Sequence, residues 1–268
     1  MFSQNTLNNV SAHDLDIFEG MTSISAVINS INSGANNRTV IRVLYDKDKS
    51  DKKSRELSFL KIMSERLSFE IVATDSSELD NLVSGTTHGG FVALCTKRTL
   101  NSLAQLDVIP DKPYFFVLLE GIEDPYNFGY SVRSIYASGA DGIVLPPRNW
   151  LELSSTVARS SAGSSELADI YVSDPVEAVN FFKNKGFSIV CAGIRDSVSV
   201  YDADFTKPTL LIVGGEKRGI SRKLLDMCDV TVRIDYGREF KGSLPTASAV
   251  AVIAFEAAKQ RQKTYDFV

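Results

Sequence analysis

Glu216, Lys217 and Arg218 sit inside a glycine-bounded turn, Gly214-Gly215-Glu216-Lys217-Arg218-Gly219, directly after the apolar run at 210–213. Four apolar residues read as a buried strand, and the glycines let the backbone turn sharply and approach a ligand. Ser221 then opens an amphipathic segment that reads as a helix. Strand, glycine turn and helix in this order hold a nucleotide-like ligand at the carboxyl edge of a parallel sheet. The phosphate-binding loop of nucleoside triphosphatases is the nearest textual rival and needs G-x-x-x-x-G-K-[ST]. Gly214 and Gly219 match that spacing and Ser221 stands where the magnesium-binding hydroxyl would, but Ile220 replaces the essential Lys. Glu216 also places a carboxylate in the anion cradle, where it repels phosphate. Triphosphate hydrolysis is disfavoured.

Two further stretches carry polar groups of the same kind. Asn127 is a natural helix cap, where free N–H groups and the positive end of the helix dipole gather. Arg133 lies six residues on, roughly 9 Å along a helix axis, and helical side chains lean back toward the amino terminus. A guanidinium and an amide beside a helix start suit a phosphate or a sugar. Taken alone, the same pair also reads as a plain cap and a surface charge. The third stretch, Lys241-Gly242-Ser243-Leu244-Pro245-Thr246, precedes a helix whose start is crowded with small residues. Slim side chains permit close approach of a ligand, or simply of another helix.

The elements that must position these groups follow from periodicity. Before residue 100, helices are expected at 18–31, 54–67 and 76–83, and strands at 40–45, 69–73 and 91–95, giving a small layered α/β domain. Residues 100–112 contain Pro110, precede Pro113 and read as a linker. Beyond it, strands are expected at 114–119, 142–145, 168–172, 188–192, 210–213 and 230–234. Helices are expected at 127–138, 174–185, 221–227 and 246–263. Apolar strands separated by helices imply a parallel sheet covered on both faces. The expected division is therefore 1–99, a linker at 100–112, and 113–268.

The 268-residue chain is 44% hydrophobic, carries a net charge of -4 and has three cysteines and two histidines. No apolar run approaches the length of a membrane span, and the polar amino terminus does not read as a secretory signal. Cys95, Cys191 and Cys228 show neither metal-ligand spacing nor an even framework, so no metal is expected and a reducing cytoplasm fits. The net charge argues mildly against nucleic acid. Lys217, Arg218, Arg222 and Lys223 nonetheless cluster, with Arg233, Arg238 and Lys241 shortly after, either as a phosphate-binding surface or as a solvated face.

Together and in this order, the three stretches resemble the SpoU (TrmH-like) family of SPOUT-class RNA methyltransferases, with Arg159-Ser160-Ser161-Ala162-Gly163 between the first two. The amino-terminal half is similar to that family's substrate-binding domain in Glu19-Gly20-Met21, in Arg38 before a strand, and in His88-Gly89-Gly90-Phe91-Val92-Ala93. The resemblance implies an α/β fold, a parallel sheet with a C-terminal trefoil knot, preceded by a small α/β/α RNA-binding domain. It implies S-adenosylmethionine bound in the knot, a homodimer with its site at the subunit interface, and methyl transfer to a ribose 2′-hydroxyl of ribosomal or transfer RNA, ribosomal favoured. Carried over by position, the cofactor pocket falls on Gly214, Gly215, Ile234 and Leu244. Asn127, Arg133, Glu216 and Ser243 fall around the reacting ribose, and Arg38, His88, Arg159, Lys217 and Arg218 fall at RNA contacts. One departure stands out: the family's Ser-Leu-Asn is here Ser243-Leu244-Pro245, and proline lacks both the amide side chain and an N–H donor. A catalytically silent RNA-binding protein of the same fold is the second reading, against which Asn127, Arg133 and Glu216 speak.

Overall fold

The computed structural model describes residues 15–83, 88–109, 112–147 and 154–261. Along the chain run β1 (Leu15–Glu19), α1 (Gly20–Asn32), β2 (Val40–Asp46), α2 (Ser54–Leu67), β3 (Glu70–Thr74), α3 (Ser76–Leu82), β4 (Phe91–Thr96) and β5 (Asn101–Ser102). Then come β6 (Phe115–Glu120), α4 (Pro125–Ala137), β7 (Gly142–Leu145), α5 (Ser154–Ser160), α6 (Ser164–Leu167), β8 (Ile170–Val172) and α7 (Pro175–Asn184). The chain continues through β9 (Ser188–Ala192), β10 (Val198–Ser199), β11 (Thr209–Gly214), α8 (Arg222–Leu225), β12 (Val230–Arg233) and α9 (Thr246–Gln260). Part of the expected linker and the end of the helix expected at 246–263 lie outside the described residues. Among those residues, no helix is long and apolar enough to cross a membrane.

The chain divides into two compact units, one of residues 1–99 with 149–167, the other of 100–148 with 168–268. The expected boundary at residue 113 is corrected twice. Asn101–Ser102 forms a parallel edge pairing with Tyr171–Val172, so the second unit begins inside the expected linker. A two-residue strand paired only through its backbone leaves no periodicity to read. The segment 154–167, which follows β7 in sequence, belongs to the first unit.

The first unit has a four-stranded sheet in the order β1-β4-β2-β3, with β2 and β3 parallel and the other neighbours antiparallel. Residue 18 was expected to open a helix, but Phe18 lies in β1, where Asp16 and Phe18 alternate inward, and α1 starts at Gly20. The core joins Phe18, Ile24, Val27, Val43, Leu60 and Phe91 to Ala158 of α5. Each such large side chain contributes about 1.5–3 kcal/mol by burial. Gly163, between α5 and α6, lies so close to α1 that an added Cβ would come within 2.2 Å of the Ala26 Cβ.

A buried charge cluster fastens this segment. Arg38 is 3% exposed; its Nε donates to Glu166 Oε2 at 2.8 Å, and its guanidinium also pairs with Asp16. Asn36 Nδ2 donates to the same Glu166 carboxylate at 2.6 Å, and Arg98 Nη1 donates to the Ser165 carbonyl at 2.7 Å. Burial opposes the Arg38 charge, but Glu166 and then Asp16 outweigh it and raise its pKa.

The second unit is built on an eight-stranded sheet, β10-β12-β9-β11-β6-β7-β8-β5, in which every pairing is parallel. Five consecutive residues of β6 and five of β11 are buried, as a sheet covered on both faces requires. Phe116, Leu118, Leu210 and Ile212 pack with Val179 and Phe182 of α7 and Leu224 of α8. On the opposite side, Phe115 meets Phe205 edge-on, while α4 and α9 pack against one another. Cys191 of β9 and Cys228 form a disulfide across 6.1 Å between Cα atoms, a pairing that their separation of 37 residues did not reveal. They meet because the chain entering β12 runs beside β9, with Asp229 N–H donating to the Ile189 carbonyl at 2.9 Å.

Removing one partner of a buried ion pair strands the other charge, at a cost of about 3–5 kcal/mol, whereas an exposed pair contributes about 1 kcal/mol or less. Glu166→Ala is therefore expected to lower the urea midpoint strongly, and Arg42→Ala, which breaks the exposed pair with Glu70, to leave it nearly unchanged. Equal midpoints for the two variants would contradict the clamp.

Candidate active site

The site is assembled by one register. β6 and β11 are parallel neighbours at the centre of the sheet, and Gly214 stands opposite Glu120. The strand order runs outward from this pair in both directions, which makes their carboxyl ends the switch point where α/β sheets open a crevice. The two turns that leave there are tied together. Gly215 N–H donates to the Glu120 carbonyl at 2.7 Å, and Ser221 N–H donates to the Glu120 carboxylate at 2.9 Å. Gly219 N–H donates to the Gly215 carbonyl at 2.9 Å and closes the turn on itself.

Glycine is required here for space. A Cβ on Gly214 would lie 2.2 Å from the Gly219 carbonyl carbon, and one on Gly215 would lie 2.1 Å from the Gly121 carbonyl oxygen. Gly219 adopts φ +63, the left-handed region that glycine enters without a Cβ penalty. The helix after the third stretch is joined to the same point, since Thr246 Oγ1 donates to the Gly214 carbonyl at 3.1 Å.

A cavity of about 580 Å³ opens beside this junction. Gly214, Gly215, Glu216, Ile234, Ser243 and Leu244 all line it, so these six residues expected at the site converge. Its walls are largely apolar, including Val213, Ile220, Val232 and Ile253. Ile194, Tyr236 and Phe240 form an exposed rim, with Tyr236 and Phe240 meeting edge-on at 5.7 Å between centroids. Leu244 N–H donates to the Tyr236 hydroxyl at 3.2 Å, which leaves the Leu244 carbonyl as its backbone group for a ligand. Thr246, Glu120 and the aromatic rim were missed at the sequence level. Glu120, the polar end of an apolar strand, carried the one readable signal.

The remaining expected residues lie elsewhere. Asn127 is not the helix cap: Asp124 is, its carboxylate accepting from the N–H groups of Tyr126 and Asn127, with Pro125 opening α4. Asn127 is half-buried in the first turn, and Arg133 is exposed further along α4; neither lines the cavity. Lys217 Nζ pairs with Glu123 Oε2 at 2.6 Å beside a second hollow, and Arg218 is exposed in the turn. Pro245 precedes α9 rather than opening it, and its carbonyl accepts from Ser248 and Ala249 at 2.9 and 3.0 Å.

Two of the expected RNA contacts are corrected. Arg38 is sealed in the ion cluster of the first unit and presents no charge to solvent. His88 is 2% exposed; its Nδ1 accepts from Gly90 N–H at 3.1 Å, so Nε2 carries the proton toward Asp80 at 3.0 Å. It shapes the turn at Gly89 and Gly90, both at positive φ. Arg159 Nη1 pairs with Glu19 at 2.7 Å in the same unit, with its side chain 39% exposed.

A parallel α/β unit with a glycine-edged, apolar-walled cavity at its switch point is a cofactor-binding domain by its class. The particular family follows from sequence. The profile of the SpoU rRNA Methylase family matches residues 114–255, just over half of the chain, and the chain belongs to that family. It is 29% identical over 228 residues to the 23S rRNA (guanosine-2′-O-)-methyltransferase RlmB of a Burkholderia species, covering 84% of this chain and 90% of that protein. The crystal structure of the SpoU methyltransferase AviRb from Streptomyces viridochromogenes superposes with a TM-score of 0.73 at 25% identity, covering 97% of this chain and 93% of the other. The same enzyme in complex with AdoMet gives a TM-score of 0.75 at 24% identity, with 98% and 96% covered.

Overpacking a tight backbone contact costs about 1–3 kcal/mol, and an open surface position about 0.5 kcal/mol or less. Gly215→Ala should lower the denaturant midpoint measurably, whereas Gly237→Ala, whose Cβ meets nothing within 4 Å, should leave it in place.

Proposed function

We propose that this protein is an S-adenosylmethionine-dependent RNA 2′-O-methyltransferase acting on ribosomal RNA. The observation that carries the reading is the convergence of Gly214, Gly215, Glu216, Ile234, Ser243 and Leu244 on one cavity, in a chain of the SpoU rRNA Methylase family. The cavity suits the cofactor. Apolar walls from Val213, Ile220, Ile234 and Leu244 match an adenine face, and the bare backbone at Gly214 and Gly215 leaves room that a Cβ would fill. The reading extends to the trefoil knot, with the segment after β12 threading a loop of the same unit.

When bound, S-adenosylmethionine supplies a methyl group already activated as an electrophile. The protein's own task is to hold the ribose hydroxyl in line and to favour its developing negative charge. Arg133 does this through its guanidinium, gripping the adjacent phosphate. Asn127 and Glu216 orient the ribose, and Ser243 supplies a hydroxyl beside it. With Pro245 in place of the usual Asn, that hydroxyl is the polar side chain left in the Ser-Leu-Pro stretch.

Arg133 lies outside the cavity of its own chain, and its position on α4 supports a site completed by a second copy. Tyr126, Tyr130 and Arg133 recur at helical spacing on an exposed face, with Tyr126 43% and Tyr130 48% exposed, and Phe255 of α9 is 51% exposed. Aromatic side chains of this kind are enriched in protein interfaces. A homodimer covers them and delivers Arg133 to the partner's cavity.

Labelled-methyl transfer into unmodified ribosomal RNA tests the activity. Arg133→Ala is expected to lose at least about a hundredfold in kcat, in line with the loss of one charge-stabilising donor, while calorimetry shows unchanged S-adenosylmethionine binding. Mixing Arg133→Ala with an inactive Ser243→Ala protein should restore part of the activity, because one of the two sites in a mixed dimer is intact. No recovery on mixing, with dimers present in sedimentation, would rule out the shared site.

A further inference from the structure

The turn between β12 and α9 carries Tyr236 and Phe240 to the mouth of the cavity, where they are 41% and 57% exposed. An aromatic ring left in water beside a binding cavity marks a surface that a ligand covers. Phe240 is held in place. Tyr236 meets its ring edge-on at 5.7 Å between centroids, and the Tyr236 hydroxyl is itself fixed by accepting from Leu244 N–H. Gly242 lies against the tip of the same ring, where an added Cβ would come within 2.6 Å of Phe240 Cζ. The ring is thus braced in two places while more than half of the residue stays open to solvent.

Two chemistries could cover it, the adenine of the cofactor from inside the cavity or a base of the RNA from outside. Val213, Ile220, Val232 and Ile253 already give the cofactor apolar walls, and Phe240 stands beyond them on the rim. Charge points the same way. Arg238 and Lys241 flank the ring in sequence, are exposed, and have no ion-pair partner among the described residues; Glu239 is the one opposing charge between them. S-adenosylmethionine has no phosphate for these cations to hold and carries a positive charge of its own. A nucleic-acid strand offers both partners, a base for the ring and a backbone for the cations.

We propose that Phe240 is a substrate-positioning residue that stacks on an unpaired base of the RNA strand whose ribose enters the cavity, with Arg238 and Lys241 beside the strand's phosphates. The proposal rests on the methyltransferase reading above. Stacking reads no base edge, so this platform selects unpaired over paired RNA and tolerates any base. A base held at the mouth also restricts the ribose attached to the same strand, which helps to bring the hydroxyl into line.

Phe240→Ala is expected to raise the KM for ribosomal RNA about tenfold, the loss of one base–aromatic stack, with S-adenosylmethionine affinity unchanged in calorimetry. Phe240→Tyr should restore the KM, and Phe240→Leu, apolar but without a π face, should not. Gly242→Ala should reproduce part of the loss, because the ring tip yields before the backbone does. Restoration by Leu, or weakened S-adenosylmethionine binding in Phe240→Ala, overturns the proposal. A second measurement is independent of turnover. Phe240→Trp places a fluorophore on the rim, which a mixed-sequence single-stranded oligoribonucleotide should quench and the same strand in a duplex should not. The parent protein, whose one tryptophan is Trp150, sets the background. Absence of quenching overturns the platform, whereas quenching without methyl transfer into any RNA counts against the methyltransferase reading alone.

Discussion

The pairing of β6 with β11 is the constraint on which the site depends. Parallel strands in register bring their carboxyl ends to one edge, so Glu120 and Gly214 meet without any help from loops. From that meeting point two chain segments must leave in almost the same space, and backbone-to-backbone contact is the solution. A side chain at position 214 or 215 would occupy the volume already filled by Gly219 or Gly121. The polar end of β6 then does a second task, since its carbonyl and carboxylate take the N–H groups of Gly215 and Ser221. Shape and hydrogen bonding thus agree on one conformation for the turn, and a preorganised pocket follows.

Much of this was legible in the residues. Uninterrupted apolar strands separated by helices announced a sheet buried on both sides, and β7 and β9 match their expected bounds. The glycine turn, Ile234 and the stretch from Ser243 to Leu244 were brought together by the resemblance to the SpoU family rather than by periodicity, and all of them line one cavity. Local chemistry misled at the start of α4. Asp124 followed by Pro125 is itself a helix-start signal, and it displaced Asn127 by three positions.

What could not be read is what depends on distant partners. Arg38 and Glu166 are 128 residues apart, and nothing near Arg38 distinguishes a buried cation from an RNA-binding one. His88 was hidden for a different reason: both its ring nitrogens are taken up locally, by Asp80 of α3 and by the Gly90 N–H of its own turn, and neither partner marks a histidine as buried. The membership of α5 and α6 was equally silent. Their residues look like a loop between two strands of the second unit, and only the buried carboxylate at 166 and the bare backbone at Gly163 betray the packing that claims them.

That membership bears on how the protein comes into being. A chain made from its amino terminus folds its domains in order as they emerge. Here the first unit remains incomplete after its own strands have been synthesised, with Arg38 waiting on a carboxylate that arrives only after β6, α4 and β7. The first unit therefore closes only after β6, α4 and β7 have been made, and before β11, the partner of β6, has followed. For the same reason, the proline-bearing stretch ahead of Tyr114 is a poor place to cut or graft this protein. A fragment ending there keeps Asp16 but lacks Glu166, so its interior cation has lost one of its two carboxylates.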